Sequence, residues 1–148
     1  ENLDTIYQRA RNISNENKEI NTGKNYFEQL KHMINSYASD NINVIFNGNA
    51  LHEVKLDSKI KIALYRVLQE LMVNMKKHSE CSLVMISFKE TNSALEINYS
   101  DNGKGTDNQL QIKNGLQNVE NRIFSINGNI TFDTEPNKGF KVKITIPK

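Results

Sequence analysis

Three segments of the chain alternate apolar and polar residues with a period of two, and this pattern narrows the available folds. Leu95, Ile97 and Tyr99 alternate with Glu96, Asn98 and Ser100, and Phe140, Val142, Ile144 and Ile146 alternate with Lys141, Lys143 and Thr145. Ile130–Thr134 has the same period. Successive side chains of a strand point to opposite faces, so strands of this kind build a sheet with one face to cover and one more exposed. The cover is helical. Asp57 to His78 predicts the strongest helix, with Ile60, Leu64, Leu68, Leu71 and Met75 in one stripe and Asp57 or Ser58 as its cap. Further helices are expected over about Asn25–Ala38, through Phe27, Leu30, Ile34 and Tyr37, and about Leu116–Ile126, through Leu116, Val119, Ile123 and Phe124. Ile42–Phe46 predicts a short strand, and Leu83–Phe88, apolar throughout, a central strand buried on both faces. The expected fold is α+β, a two-layer α/β sandwich with a mixed sheet.

A chain of 148 residues has room for one ordinary domain. Its composition, 37% hydrophobic and 24% charged, suits a soluble globular domain and excludes a disordered one. With 19 Lys+Arg against 17 Asp+Glu, a net charge of +2 gives no electrostatic reason to expect nucleic acid or a membrane surface. No apolar run approaches the ~20 residues of a bilayer-spanning helix. Cys81 is the single cysteine, which excludes an internal disulfide and a cysteine cluster for zinc and fits a cytoplasmic, reducing setting. Lying just before an apolar run, it reads as a small buried residue rather than a reactive thiol. Upstream, Leu3, Ile6, Ala10 and Ile13 step by three and four, as in a bundle or coiled-coil seam. Asn15–Asn25 is a polar linker. The chain opens on Glu1 without a signal-peptide pattern, so it is expected to be part of something longer. The expected division is a helical stub and linker over residues 1–20 and one domain over residues 21–148.

Three places carry chemistry. At about 100° per residue, Glu70, Asn74 and Lys77 fall within roughly 60° of one another on the long helix, with His78 on the same side. This polar stripe borders the apolar one, so a carboxylate, an amide and an ammonium can look into one cleft; a solvated helix edge has the same pattern. Asp101-Asn102-Gly103-Lys104-Gly105 follows an alternating strand. Two spaced glycines let backbone approach a flat ligand, and a carboxylate accepts a hydrogen bond from an exocyclic amine such as that of adenine. The same residues also suit a plain turn. Thr106–Asn114 is polar and ends at Gly115, directly before a helix whose free amides suit phosphate. It also fits an ordinary loop-to-helix junction.

Taken in order, these stretches resemble the ATP-binding domain of the sensor histidine kinases. Leu64 to His78, read as LYRVLQELMVNMKKH, is similar to their N box; Asp101 to Gly105 to their first glycine box; Asn114 to Ile123 to their second; and Asn137-Lys138-Gly139-Phe140 through Pro147 to the closing hairpin. No single box is specific, but four in the family's order are. The resemblance reaches more widely to gyrase, Hsp90 and MutL ATPase domains, which share the Bergerat fold. It implies ATP and Mg²⁺ as cofactors. Asn74 would hold the metal, Lys77 would neutralise phosphate charge, and His78 would sit near the phosphates or ribose. Asp101 would accept from the adenine amine, Gly103 and Gly105 would admit the base, and Gly115 and Leu116 would offer amides to the phosphates. Glu70 is the N-box acid, the catalytic candidate.

Two departures stand out. Lys113 occupies the place of the first glycine of the second box, and Phe140 follows Gly139 where the family has Thr. The phosphoacceptor is also missing: His32, His52 and His78 do not lie in a dimerisation-helix box. The resemblance therefore implies a parent homodimer that phosphorylates a histidine on an upstream dimerisation domain and passes the group to a response regulator. An anti-sigma-factor-type serine kinase, an ATPase of the same superfamily, and a degenerate interaction module are the competing expectations.

Overall fold

The computed structural model describes residue 20 and residues 22–52, 54–105 and 116–148. In chain order these form α1 (Tyr26–Asn35), β1 (Asn43–Asn47), a short 3₁₀ turn (Asn49–His52), α2 (Ser58–Asn74), a π turn (Met75–Ser79), β2 (Leu83–Glu90), β3 (Ala94–Asp101), α3 (Gln117–Phe124), β4 (Asn129–Thr134) and β5 (Phe140–Pro147). The helix expected over residues 1–16, and most of the linker after it, lie outside the described residues.

The strands make one sheet in the order β1-β2-β3-β5-β4. β1 runs parallel to β2 and all other pairs are antiparallel, so the sheet is mixed. The period-two pattern decides its faces. Val84, Ile86, Phe88, Leu95, Ile97, Tyr99, Val142, Ile144 and Ile146 join one buried cluster with Leu30 and Ile34 of α1, Leu64, Leu68 and Met72 of α2, and Val119 and Ile123 of α3. Over β3, β4 and β5 the opposite face carries mostly polar side chains. A concavity of about 410 Å³ lies there, lined in part by Asn98, Ser100, Asp133, Lys141 and Lys143. This arrangement is the expected two-layer α+β sandwich.

The central helix starts where its cap predicts. Asp57 is extended, and its Oδ1 accepts from the Ile60 N–H at 2.9 Å, which satisfies one of the free amides of the first turn. Leu64, Val67, Leu68, Leu71 and Met72 are all buried. Each such side chain contributes roughly 1.5–3 kcal/mol by leaving water, so this stripe holds the helix firmly against the sheet.

Four local expectations need correction. The α-helix ends at Asn74, and the chain continues as the π turn Met75–Ser79, closed by Glu80 in the left-handed region at φ 53°. Lys77 and His78 therefore sit on a widened turn and are exposed, rather than extending the regular stripe. β2 is not buried on both faces: Met85 is 45% exposed and pairs with Ile45, itself 49% exposed. With helices on one side of the sheet, the apolar residues of β1 and β2 that point the other way meet water. Phe124 is also exposed, because α3 buries Val119 and Ile123, and the residue after Ile123 points away from that line. Phe27 and Tyr37 of the first predicted helix are only partly buried. Cys81, in contrast, is a free and buried cysteine, as its sequence position predicts. Among the described residues, no helix is long and apolar enough to cross a membrane.

Candidate functional site

The site is organised around the end of β3. Asp101 pairs with Val84 of β2 on one side and Phe140 of β5 on the other, so its backbone is fixed within the sheet. It shares the helix-facing side of the sheet with Tyr99, two residues earlier. Its carboxylate is buried and held at both oxygens: Oδ2 accepts from the Tyr99 hydroxyl at 2.7 Å, and Oδ1 accepts from the Gly103 N–H at 2.9 Å. A buried carboxylate needs such donors, because leaving it unpaired costs several kcal/mol. Burial, reinforced by the Asp101 charge, pushes the Tyr99 hydroxyl far above its ordinary range. The hydroxyl therefore stays protonated and donates.

The loop after Asp101 is stitched down on three sides. Asn102 Oδ1 accepts from the Ser82 and Leu83 N–H groups at 2.9 and 3.0 Å, and its amide donates to Ser82 Oγ at 2.9 Å. The Lys104 N–H donates to the Ser79 carbonyl at 2.8 Å, tying the loop to the end of the π turn. The Lys104 carbonyl accepts from the Asn137 N–H at 2.5 Å, tying it to the β4–β5 turn.

The glycines are required by contact. A Cβ on Gly103 would lie 2.3 Å from the Ser79 carbonyl oxygen and 1.9 Å from its hydroxyl. Gly105 adopts φ +57°, and a Cβ there would lie 2.1 Å from the Glu135 carbonyl oxygen. Gly139 plays the matching part from the hairpin, at φ +80°, with Asp101 O 2.1 Å from the place of its Cβ. Three backbones thus meet around Asp101 at distances only glycine permits.

The junction between helix and loop is Ser79. Its hydroxyl is buried without a hydrogen-bond partner of ordinary geometry. Burial raises the pKa of the neighbouring Cys81 thiol and outweighs the opposing effect of the Ser79 hydroxyl. A weak contact with sulfur does not satisfy a hydroxyl.

The remaining sequence candidates divide by position. Glu70 and Asn74 are half-buried on the last two turns of α2, while Lys77 and His78 are exposed on the π turn. No hydrogen bond or ion pair ties these four side chains to another described residue. Leu116, just before α3, is buried. Gly115 and the Thr106–Asn114 stretch lie outside the described residues, as does Lys113. The structure therefore brings the end of the π turn, the Asp101 loop and the β4–β5 turn together. Sequence reasoning missed Tyr99, Ser79 and Asn102. Only Tyr99 carried a signal: it lies two residues before Asp101 on an alternating strand, so the two share a face.

The described site is thus a buried, donor-held carboxylate in a loop tied to the end of the π turn and to the β4–β5 turn. The chain belongs to the family of histidine kinase-, DNA gyrase B- and HSP90-like ATPases, which matches residues 59–148. An uncharacterized sensor-like histidine kinase of Chloroflexus aurantiacus is 28% identical over 115 residues, covering 72% of this chain and 19% of that protein. The sensor histidine kinase ComP of Bacillus subtilis is 30% identical over 67% of this chain and 13% of its own length. The signal transduction histidine-protein kinase/phosphatase DegS of Brevibacillus brevis is 34% identical over 60% of this chain and 23% of its own length. The chain thus spans less than a quarter of each of these relatives. In structure it is similar to the histidine kinase domain of the Erythrobacter litoralis blue-light activated kinase, with a TM-score of 0.69, 14% identity, and coverage of 82% of this chain and 58% of that one. At that identity the likeness concerns the fold, and it is the same α+β fold.

Proposed function

We propose that this chain is the ATP-binding catalytic domain of a two-component sensor histidine kinase. In this role it presents the γ-phosphoryl group to a histidine on a dimerisation domain that is not part of this chain. The parent would act as a cytoplasmic-facing homodimer that passes the group to a response regulator. The observation that carries the proposal is the Asp101 carboxylate: buried, and fixed by the Tyr99 hydroxyl and the Gly103 N–H at the start of a loop whose glycines pack tightly against neighbouring backbone. An acceptor-only group so placed reads a donor, and the adenine amine is such a donor. The names of the sequence relatives support the kinase branch of the family.

Each residue then has a task. Asp101 accepts from the base, and Gly103 and Gly105 keep the loop close enough for the base to stack against it. Asn74 fits a hard cation that keeps several of its waters, since its half-buried amide is an oxygen donor without a competing described partner. Bound Mg²⁺ would supply charge neutralisation across the phosphates. Lys77, exposed on the π turn, would neutralise phosphate charge, His78 would sit near the phosphates or ribose, and Gly115 and Leu116 would offer backbone amides to the phosphates. Glu70, the N-box acid, would orient the incoming nucleophile. Positioning and charge neutralisation are what phosphoryl transfer asks of a protein.

The test uses γ-labelled ATP with Mg²⁺ and a separately supplied dimerisation domain carrying the acceptor histidine. Label transferred to that histidine, lost when Asn74 is replaced by Ala, is the expected result. Release of free phosphate at the same rate with or without the acceptor domain would assign the chain to the ATPase branch instead.

A further inference from the structure

The hydroxyl of Tyr99 is not needed for packing. Its ring is 3% exposed and meets Phe140 edge to face, with centroids 6.2 Å apart, and a phenylalanine would fill the same space. A hydroxyl placed in a core is unfavourable unless it has a partner. The partner here is Asp101, at 2.7 Å. We propose that Tyr99 is a positioning residue for base selection: by holding Asp101 Oδ2 it fixes the plane of the carboxylate so that its remaining lone pairs accept an exocyclic amine and reject a carbonyl. This rests on the reading of Asp101 as the adenine-binding group.

The argument is one of donor counting. A carboxylate has about four acceptor positions on two oxygens. The Gly103 N–H takes one on Oδ1, and the Tyr99 hydroxyl takes one on Oδ2. Two donors on different oxygens prevent rotation about the Cβ–Cγ bond. The positions that remain can only accept. A 6-aminopurine supplies the missing donor. A 6-oxopurine docked in the same pose sets an acceptor against an acceptor, and its ring donor, N1–H, reaches the carboxylate only if the base shifts; a buried mismatch of this kind is where sites discriminate strongly. Burial keeps the Tyr99 hydroxyl protonated, so it retains the proton that it donates to Asp101. Without that hydroxyl the carboxylate keeps one anchor, can turn, and both welcomes the amine less and rejects the carbonyl less.

The experiment is an equilibrium titration of the chain with ATP and with ITP, its 6-oxo counterpart, for the wild type, Tyr99→Phe, Asp101→Asn and the double variant. Tyr99→Phe is expected to weaken ATP about tenfold, the effect of losing one charge-assisted bond. It should weaken ITP much less, so that the ATP-over-ITP preference contracts at least threefold. In the Asp101→Asn background the same substitution should leave ATP affinity within about twofold, because its route of action is gone. A ratio of two affinities is taken on the same folded fraction, so partial unfolding of a variant cancels from it. Equal losses for ATP and ITP, or no loss at all, overturn the proposal while leaving Asp101 as the adenine group if Asp101→Asn still weakens ATP. If Asp101→Asn binds ATP like the wild type, both readings fall together.

Discussion

Replacing Gly103 with alanine tests how the π turn and the loop after Asp101 are joined. The new Cβ would lie 1.9 Å from Ser79 Oγ, 2.3 Å from Ser79 O and 2.9 Å from Ser79 C. The hydroxyl can rotate away, but the carbonyl belongs to the end of the π turn and cannot. The loop must retreat by about an ångström to restore ordinary contact. That movement stretches the Lys104 N–H bond to Ser79 O, now 2.8 Å, and the Gly103 N–H bond to Asp101 Oδ1, now 2.9 Å. A neutral bond contributes about 0.5–1.5 kcal/mol and a charged one about 1.5–3, so the variant should lose about 2–4 kcal/mol. For a domain of this size that corresponds to a fall in Tm on the order of 10 °C. Thermal unfolding followed by circular dichroism measures it. Gly48→Ala is the comparison, since its Cβ would meet the rings of Phe46 and Phe27, at 2.6 and 2.8 Å, whose ends can yield. A Gly103→Ala midpoint no lower than that of Gly48→Ala would refute the account of this junction.

The other predictions address separate parts of the fold. Ile86→Ala, in the buried row of β2, should cost about 2–5 kcal/mol, whereas Met85→Ala on the open face should cost under about 1 kcal/mol; denaturant melts compare them. Asp57→Ala should lose about 1 kcal/mol through its cap bond to Ile60 and leave ATP affinity unchanged, which the same melts and a nucleotide titration measure. Tyr26, Tyr99 and Cys81 all have pKa values raised by burial, from ordinary values of 10.0, 10.0 and 9.0. The folded state therefore holds these protons more tightly than the unfolded one, so their contribution to stability is full below about pH 9 and is lost as the pH rises beyond it. A Tm that is flat up to pH 9 from these groups and falls above it is the expected profile.

The parts of the fold that were legible in the sequence are those set by local periodicity. β3 and β5 alternate so regularly that their buried faces follow from the chain alone, and the stripe from Leu64 to Met75 with a cap at Asp57 defines the central helix. Asp101 and its glycines could be singled out because close backbone approach leaves a compositional mark. What escaped depends on partners distant in sequence. Nothing in Met75–Ser79 announces a π turn; its last residue lies against Gly103 and Lys104. The apolar run of β2 hides which of its residues face helices, since Met85 and Ile86 look equally suited to a core and only the one-sided layering separates them. The role of Asn102 as a bracket between β2 and β3 depends on strand pairing that no single segment encodes.

The central claim is that the Asp101 carboxylate reads the base of ATP. Calorimetric titration of ATP into the wild-type chain and into Asp101→Asn, with Mg²⁺ present in both, tests it most directly. The charge-assisted bond it removes predicts a loss of roughly 10- to 100-fold in affinity, with the Tm of the variant measured alongside to confirm that it is folded. Equal affinities for the two proteins would contradict the claim.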